Sequence, residues 1–275
     1  MSSSRLRVSA LALLCFCLTS CGGGRSAPSL TLSPPSERAS GIWERFIRAA
    51  GTAESIAGPF RSSGTLFYAG KEDSQKVSVY FWGNGDKQTP YPLRLDIMAG
   101  IGDVMAKIHE TREQFVAYVP KEHIAYTHKS GRQNFIAFGV PLPFSLEDLS
   151  LLVTGRYGPL FLPSPSAVPE PRTSAETDAA VTFYLENARL PGTLDINVFG
   201  LPVGWRDVGA TGWHMVIEYW PDNTRPTPHK VTLTNLEGAS VTVVLRETAS
   251  PEPFTQQQLS LSLPPDVVFR ALQVK

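Results

Sequence analysis

Cysteine is scarce and poorly placed to support a fold: the chain has three, at positions 15, 17 and 21, and none after that. With no late cysteine pair to staple a domain, any folded body must be held by its core. Charge is sparse as well. Only 18% of residues are charged, and 25 basic residues balance 25 acidic ones. This excludes the basic footprint of a nucleic-acid binder and any charged tail. A permanent membrane span needs about 18 or more apolar residues, and the main apolar run, Val8 to Leu18, is too short. The H-E-x-x-H, G-x-S-x-G and phosphate-loop patterns are absent. The five histidines (109, 123, 128, 214 and 229) are scattered, and His123 and His128 fall on opposite faces of any strand that carries both. No metal, cofactor or enzymatic chemistry is expected.

What is present begins at the N-terminus. Arg5 and Arg7 precede the apolar run, and small and polar residues follow it. This is the layout of a secretory signal. The sequence Leu18-Thr19-Ser20-Cys21 resembles the bacterial lipobox at all four positions. That resemblance implies cleavage after residue 20 and diacylglyceryl modification of Cys21, usually with acylation of the new amino group. Two or more acyl chains anchor stably, at about 0.8 kcal/mol per buried methylene. The alternative is an ordinary secretory signal with a chance cysteine. Removing residues 1–20 of 275 leaves 255 residues with 23 basic and 25 acidic side chains. Residues 21–40, rich in Gly, Ser and Pro, read as the acylated cysteine and a flexible tether. Gly22, in place of Asp, implies sorting to the outer membrane with the domain facing the periplasm.

The remainder is long enough for one large domain or two small ones. Residues 41–57 predict an amphipathic helix with Ile42, Trp43, Phe46, Ile47 and Ala50 on one stripe. A train of strands follows: 63–68, 76–82, 93–97, 104–110, 114–119, 122–128 and 133–138. Ser145 reads as the N-cap of a second helix, with Glu147 and Asp148 in its first turn, where the helix dipole favours acids. Leu146, Leu149, Leu152 and Val153 form its apolar stripe. Residues 158–176 hold five prolines and predict a long loop or flap. Strands resume over 180–186, 195–199, 205–208, 213–220, 230–236, 240–247 and 260–263. Short consecutive strands with tight turns indicate an antiparallel meander. The fold class expected is mainly β: an open, strongly curved antiparallel sheet, an incomplete barrel, with helices covering its concave side and an apolar cavity between.

Three segments carry a resemblance. Leu93 to Ile108 (LRLDIMAGIGDVMAKI) resembles the strand–loop–strand of the LolB-type lipoprotein receptors, within the LolA/LolB lipoprotein-localisation superfamily. Gly139-Val140-Pro141-Leu142-Pro143 and the following helix resemble the family's G-x-P-[IL]-P stretch. Gly212 to Tyr219 resembles its W-x-[VL]-x-Y-x-x-Y strand. The resemblance covers residues 41–263, except that the Pro-rich insert at about 158–176 and the longer C-terminal strands have no counterpart. It implies a single domain over 41–275 and a monomer. It also implies transfer of acylated proteins from a periplasmic carrier, through an apolar cavity, into the outer membrane.

On this reading Ile101 is a membrane-inserting tip, as opposed to an ordinary hairpin residue folded back on the body. Trp43, Phe46, Ile47, Leu93, Leu95, Ile97, Val104, Ala106, Ile108, Phe115, Ala117, Leu149 and Leu152 are the cavity candidates, with plain core packing as the alternative for each. Two other functions stay open: binding another lipid or apolar ligand, and a non-catalytic structural or assembly role with a filled core.

Overall fold

The computed structural model describes residues 31–50, 58–70, 73–85, 91–100, 102–132, 134–138, 140, 142–162, 171–209, 212–221 and 226–273. Cys21, Ile101, the signal segment and most of the expected tether lie outside the described residues. One compact unit runs from Leu32 to Lys275.

The first helix, α1 (Glu37–Ala50), starts four residues before the sequence suggests. Ser36 explains the early start: its Oγ accepts from the Ala39 amide at 3.1 Å and its carbonyl from the Ser40 amide at 2.9 Å. The expected stripe is the one that packs: Ile42, Trp43, Phe46 and Ala50 are buried, while Glu44, Arg45 and Arg48 face out.

Six strands follow in sequence order: β1 (Phe60–Ala69), β2 (Ser74–Gly83), β3 (Leu93–Ala99), β4 (Asp103–Glu110), β5 (Gln114–Val119) and β6 (Ile124–Lys129). Three short helices come next, α2 (Asn134–Ala137), α3 (Leu146–Val153) and α4 (Gly158–Phe161). The second run of strands is β7 (Arg172–Glu176), β8 (Ala180–Leu185), β9 (Gly192–Asn197), β10 (Pro202–Arg206), β11 (His214–Tyr219), β12 (Pro228–Thr234) and β13 (Ser240–Ala249). A turn of helix, α5 (Gln256–Leu259), precedes the last strand, β14 (Val268–Ala271).

The fourteen strands of the described residues form one sheet in the order β14-β6-β5-β4-β3-β2-β1-β13-β12-β11-β10-β9-β8-β7. The two runs meet where β1 pairs with β13, and every pairing is antiparallel except β14 on β6. A twisted sheet of more than about ten strands must curl. Bulges at Ser63/Gly64, Ile97/Met98 and Glu218/Tyr219 help it do so. The curved sheet stays open, with β14 and β7 as its edge strands, and Ser33 bridges to Thr173 on the outer side of β7. Its inner face and the helices share one apolar core, in which Phe46, Phe115, Phe135, Phe144, Tyr157, Phe161 and Phe183 are fully buried.

Several elements differ from expectation. The stretch 133–138 is helical over Asn134–Ala137, because the Asn134 side chain turns inward to hydrogen-bond partners on the sheet. Part of the Pro-rich insert is core: Gly158, Leu160 and Phe161 are buried, and Arg172–Glu176 forms the edge strand β7. Residues 260–263 form no strand, and β14 lies further on.

Candidate functional site

The sheet order places β5, β4, β3, β2, β1 and β13 side by side. Alternating strand directions put the β1–β2, β3–β4, β5–β6 and β12–β13 turns along one row of strand ends. Just inside that row lies a cleft of about 350 Å³. Its floor is Leu66 and Tyr68 from the end of β1, Val77 from β2, Ile97 from β3, Met105 and Ala106 from β4, Val119 from the end of β5 and Val241 from the start of β13. Phe138 and Val140, from the strap that follows α2, form the opposite wall, and Asp73 and Gln75 mark the rim. Apart from these two and the Tyr68 hydroxyl, the lining side chains are apolar. The volume lies near the low end of the range of about 300–1,000 Å³ for small-ligand sites. Such a space suits a single alkyl chain.

Deeper along the same half-sheet the space closes. Leu93, Ile108, Phe115 and Ala117 are fully buried and Leu95 nearly so, with Phe135 edge-on to Phe115 at 6.2 Å. At the far row of strand ends the chemistry changes to polar. Glu110, on the inner face at the end of β4, is 0% exposed. Its Oε1 accepts from Ser130 Oγ at 2.7 Å, Asn134 Nδ2 at 3.1 Å and the Gly131 amide at 3.3 Å, while its Oε2 is buried with no partner among the described residues. Burial, helped by the nearby Glu147 charge, pushes this carboxyl up to about 7 despite the three donors. The His128 ring lies 2.8 Å from Asn134 Oδ1, and Tyr91 Oη lies 3.1 Å from Ser130 Oγ. Burial and the carboxylates of Glu110 and Glu147 hold the Tyr91 phenol well above its usual range.

A second polar knot fixes the strap to the other half of the sheet. Asp148 is the N3 residue of a capping box with Ser145 on α3. Its carboxylate also binds Arg132 Nε at 3.0 Å and Arg189 Nε at 2.5 Å. Arg132 in turn donates to the Arg189 carbonyl. Together these groups hold the start of the segment between β6 and α3, and the start of α3 itself, at the polar end of the half-sheet.

Of the cavity candidates read from the sequence, Ile97 and Ala106 line the cleft. Leu93, Leu95, Ile108, Phe115, Ala117 and Leu152 lie in the core, and Leu149 packs against it partly buried. Val104 is half-buried on β4. Trp43, Phe46 and Ile47 are remote from the cleft, because α1 lies across the other half of the sheet. There Trp43 packs 4.9 Å from Phe183, and Arg45 donates to the Val198 carbonyl at 2.9 Å. Periodicity alone did not single out Leu66, Val119, Phe138, Val140 or Val241. Their shared signal is position, an inward-facing apolar residue at a strand end or on the strap. A roomier hollow of about 530 Å³ is lined by Trp220, Pro221 and Leu245 together with Thr227, Arg246, Glu247 and Thr248, a mixed lining that carries two charged side chains. Among the described residues no group of three metal-ligating side chains converges.

No family model and no curated protein sequence matches the chain. Solved structures of similar fold include a LolA-superfamily protein from Nitrosomonas europaea, 6% identical, with 81% of this chain and 97% of that one covered and a TM-score of 0.46. An outer membrane lipoprotein-sorting protein domain from Vibrio parahaemolyticus is 11% identical, with 80% and 94% covered and a TM-score of 0.46. A DUF1329-family protein from Desulfovibrio piger is 10% identical, with 82% and 98% covered and a TM-score of 0.42. Each is a likeness of fold.

Proposed function

We propose that this chain is a lipid-anchored protein of the bacterial envelope that accepts the acyl chain of a lipoprotein in the cleft between sheet and strap and passes it to the outer membrane. The observation that carries the reading is the cleft itself: an apolar floor drawn from six neighbouring strands, walled by Phe138 and Val140 and open at a row of turns. An acyl chain that crosses an aqueous space needs such a refuge. Each buried methylene contributes about 0.8 kcal/mol, so a better-fitting site draws cargo onward without another energy source. The lipobox-like sequence ending at Cys21 supports anchorage beside the destination membrane. Ile101, in the β3–β4 hairpin between Gly100 and Gly102, is the proposed membrane-inserting tip.

The test is a handover assay. The organism's periplasmic carrier is loaded with an acylated lipoprotein and mixed with residues 22–275, which carry the whole compact unit. Cargo is expected to move onto this protein, and onward to added vesicles. Cargo that stays on the carrier while a known receptor accepts it would overturn the reading. Co-purified phospholipid or glycolipid, combined with no handover, would instead support a module for another lipid.

A further inference from the structure

We propose that the rim at which the cleft opens rests on a lipid surface, and that Leu236 makes a contact there independent of the β3–β4 hairpin. The purpose of this contact rests on the acyl-binding reading of the cleft. Leu236 is 79% exposed, more than any other large apolar side chain among the described residues. It sits on the β12–β13 turn and is held in place. The Asn235 amide donates to the Ala239 carbonyl at 3.0 Å, the Gly238 amide to the Asn235 carbonyl at 3.1 Å, and Asn235 Oδ1 accepts from the amides of Glu237 at 3.0 Å and Ala239 at 2.9 Å. The leucine leans on the backbone of Gly212, where an added Cβ would come within 2.3 Å of its Cγ. A rigid turn therefore presents a leucine to solvent. Val208, on the adjoining β10–β11 connection, is 52% exposed beside it in the row of turns.

The position of this turn identifies the surface. The β12–β13 turn is the next along the row after the β1–β2 turn, and five residues beyond Leu236 the chain reaches Val241 on the cleft floor. A site that exchanges alkyl chains with a bilayer works without crossing water only if its mouth lies on that bilayer. Single aliphatic tips on separate turns suit a lipid surface, which accepts scattered insertions. A protein partner needs a contiguous complementary face.

The experiment is flotation of residues 22–275 with vesicles of phosphatidylethanolamine and phosphatidylglycerol. Leu236→Glu is compared with Ile101→Glu, the double variant and Phe199→Glu. Phe199 is 63% exposed on the β9–β10 turn, at the opposite row of strand ends. Leu236→Glu should weaken vesicle partition roughly tenfold, the scale set by losing one inserted leucine. The double variant should bind less than either single one, and Phe199→Glu should bind as the parent does. Equal partition of parent and Leu236→Glu, or an equal loss in Phe199→Glu, would overturn the proposal. So would a Leu236→Glu variant that binds vesicles normally yet fails in handover, which would mark a protein contact. A dansylated fatty acid probes the cleft separately. Leu236→Glu should bind it as the parent does, which also reports an intact fold. If the parent fails to bind it, the cleft reading fails while the vesicle result stands.

Discussion

Glu110 makes the stability of this protein depend on pH in a direction unusual for a carboxylate. Its inner-face position leaves Oε2 buried with no partner among the described residues, and its carboxyl is pushed from 4.5 up to about 7. The folded protein therefore keeps this proton up to about pH 7, while the unfolded chain releases it near pH 4.5. Stability from this group is fully present below about pH 4.5 and is lost as pH rises through 7. The shift corresponds to about 3 kcal/mol over that window. His109 and His214 act in the opposite sense. Burial, with the charges of Arg94 and Arg206 respectively, lowers both imidazoles, so their contribution falls as the pH drops. The difference between the parent and Glu110→Gln cancels the histidine part. Gln keeps an acceptor for Ser130, Gly131 and Asn134 and carries no charge. Urea unfolding at pH 5, 6, 7 and 8 should show the difference shifting in favour of the variant by about 2–3 kcal/mol between pH 5 and pH 8. A difference that stays flat from pH 5 to 8, or that shifts in favour of the parent, refutes the argument.

Three further outcomes are expected. Val140→Glu puts a charge on the strap wall of the cleft at a half-buried position, so a dansylated fatty acid should bind at least about tenfold more weakly while the urea midpoint moves little. Asp148→Ala removes the capping box and leaves two arginines without their shared carboxylate. The cost should be about 3 kcal/mol, the low end for a buried pair, because Arg132 and Arg189 each keep about a third of their side-chain surface in water. Gly200 has φ +83°, and a Cβ there would lie 2.7 Å from both Arg45 Cβ and the Phe46 amide nitrogen. Gly200→Ala should therefore lower the thermal midpoint by several degrees through about 1–2 kcal/mol of backbone strain plus the clash with α1.

Strand existence was legible in the sequence wherever apolar residues alternate between turn signals, as in Leu93-Arg94-Leu95-Asp96-Ile97, and the α3 start was legible from Ser145. What was missed has local physical reasons. β14 reads poorly because all four of its residues are exposed, so no inner face imposes an alternation. β7 is an edge strand with one buried residue, Thr173, following a proline cluster. Asn134–Ala137 shows a strand-like apolar run, yet the bonds of Asn134 to Glu110 and His128 reward a helical turn. The cleft was legible only in kind. Alternation identifies the inward face of β3 and β4, but whether an inward residue becomes plug or wall depends on where the strap crosses it. Leu95 and Ile108 are buried in the core, whereas Ile97 and Ala106, two residues nearer the row of turns on each strand, line the cleft with Phe138. α1 was legible as an amphipathic helix, yet the half-sheet it covers is set by long-range contacts such as Arg45 to Val198.

The contrast between the two ends of one half-sheet explains why a cleft persists where a core would be expected. At the polar end the strap is fixed by directional bonds: Asn134 to Glu110, and Arg132 to Asp148. At the cleft, among the described residues, Phe138 and Val140 face the sheet, both only partly buried, and so are Leu66 and Ile97 opposite them. Apolar contact is non-directional and can be exchanged for equivalent contact with an alkyl chain, whereas the polar bonds have no substitute in such a ligand. A guest can therefore displace strap contacts at the cleft with little net loss, while the polar end holds the strap in register. Residues that served only the fold would gain from deeper burial there. Keeping them apolar and half-covered beside a row of turns is consistent with a site whose second wall is supplied by its ligand.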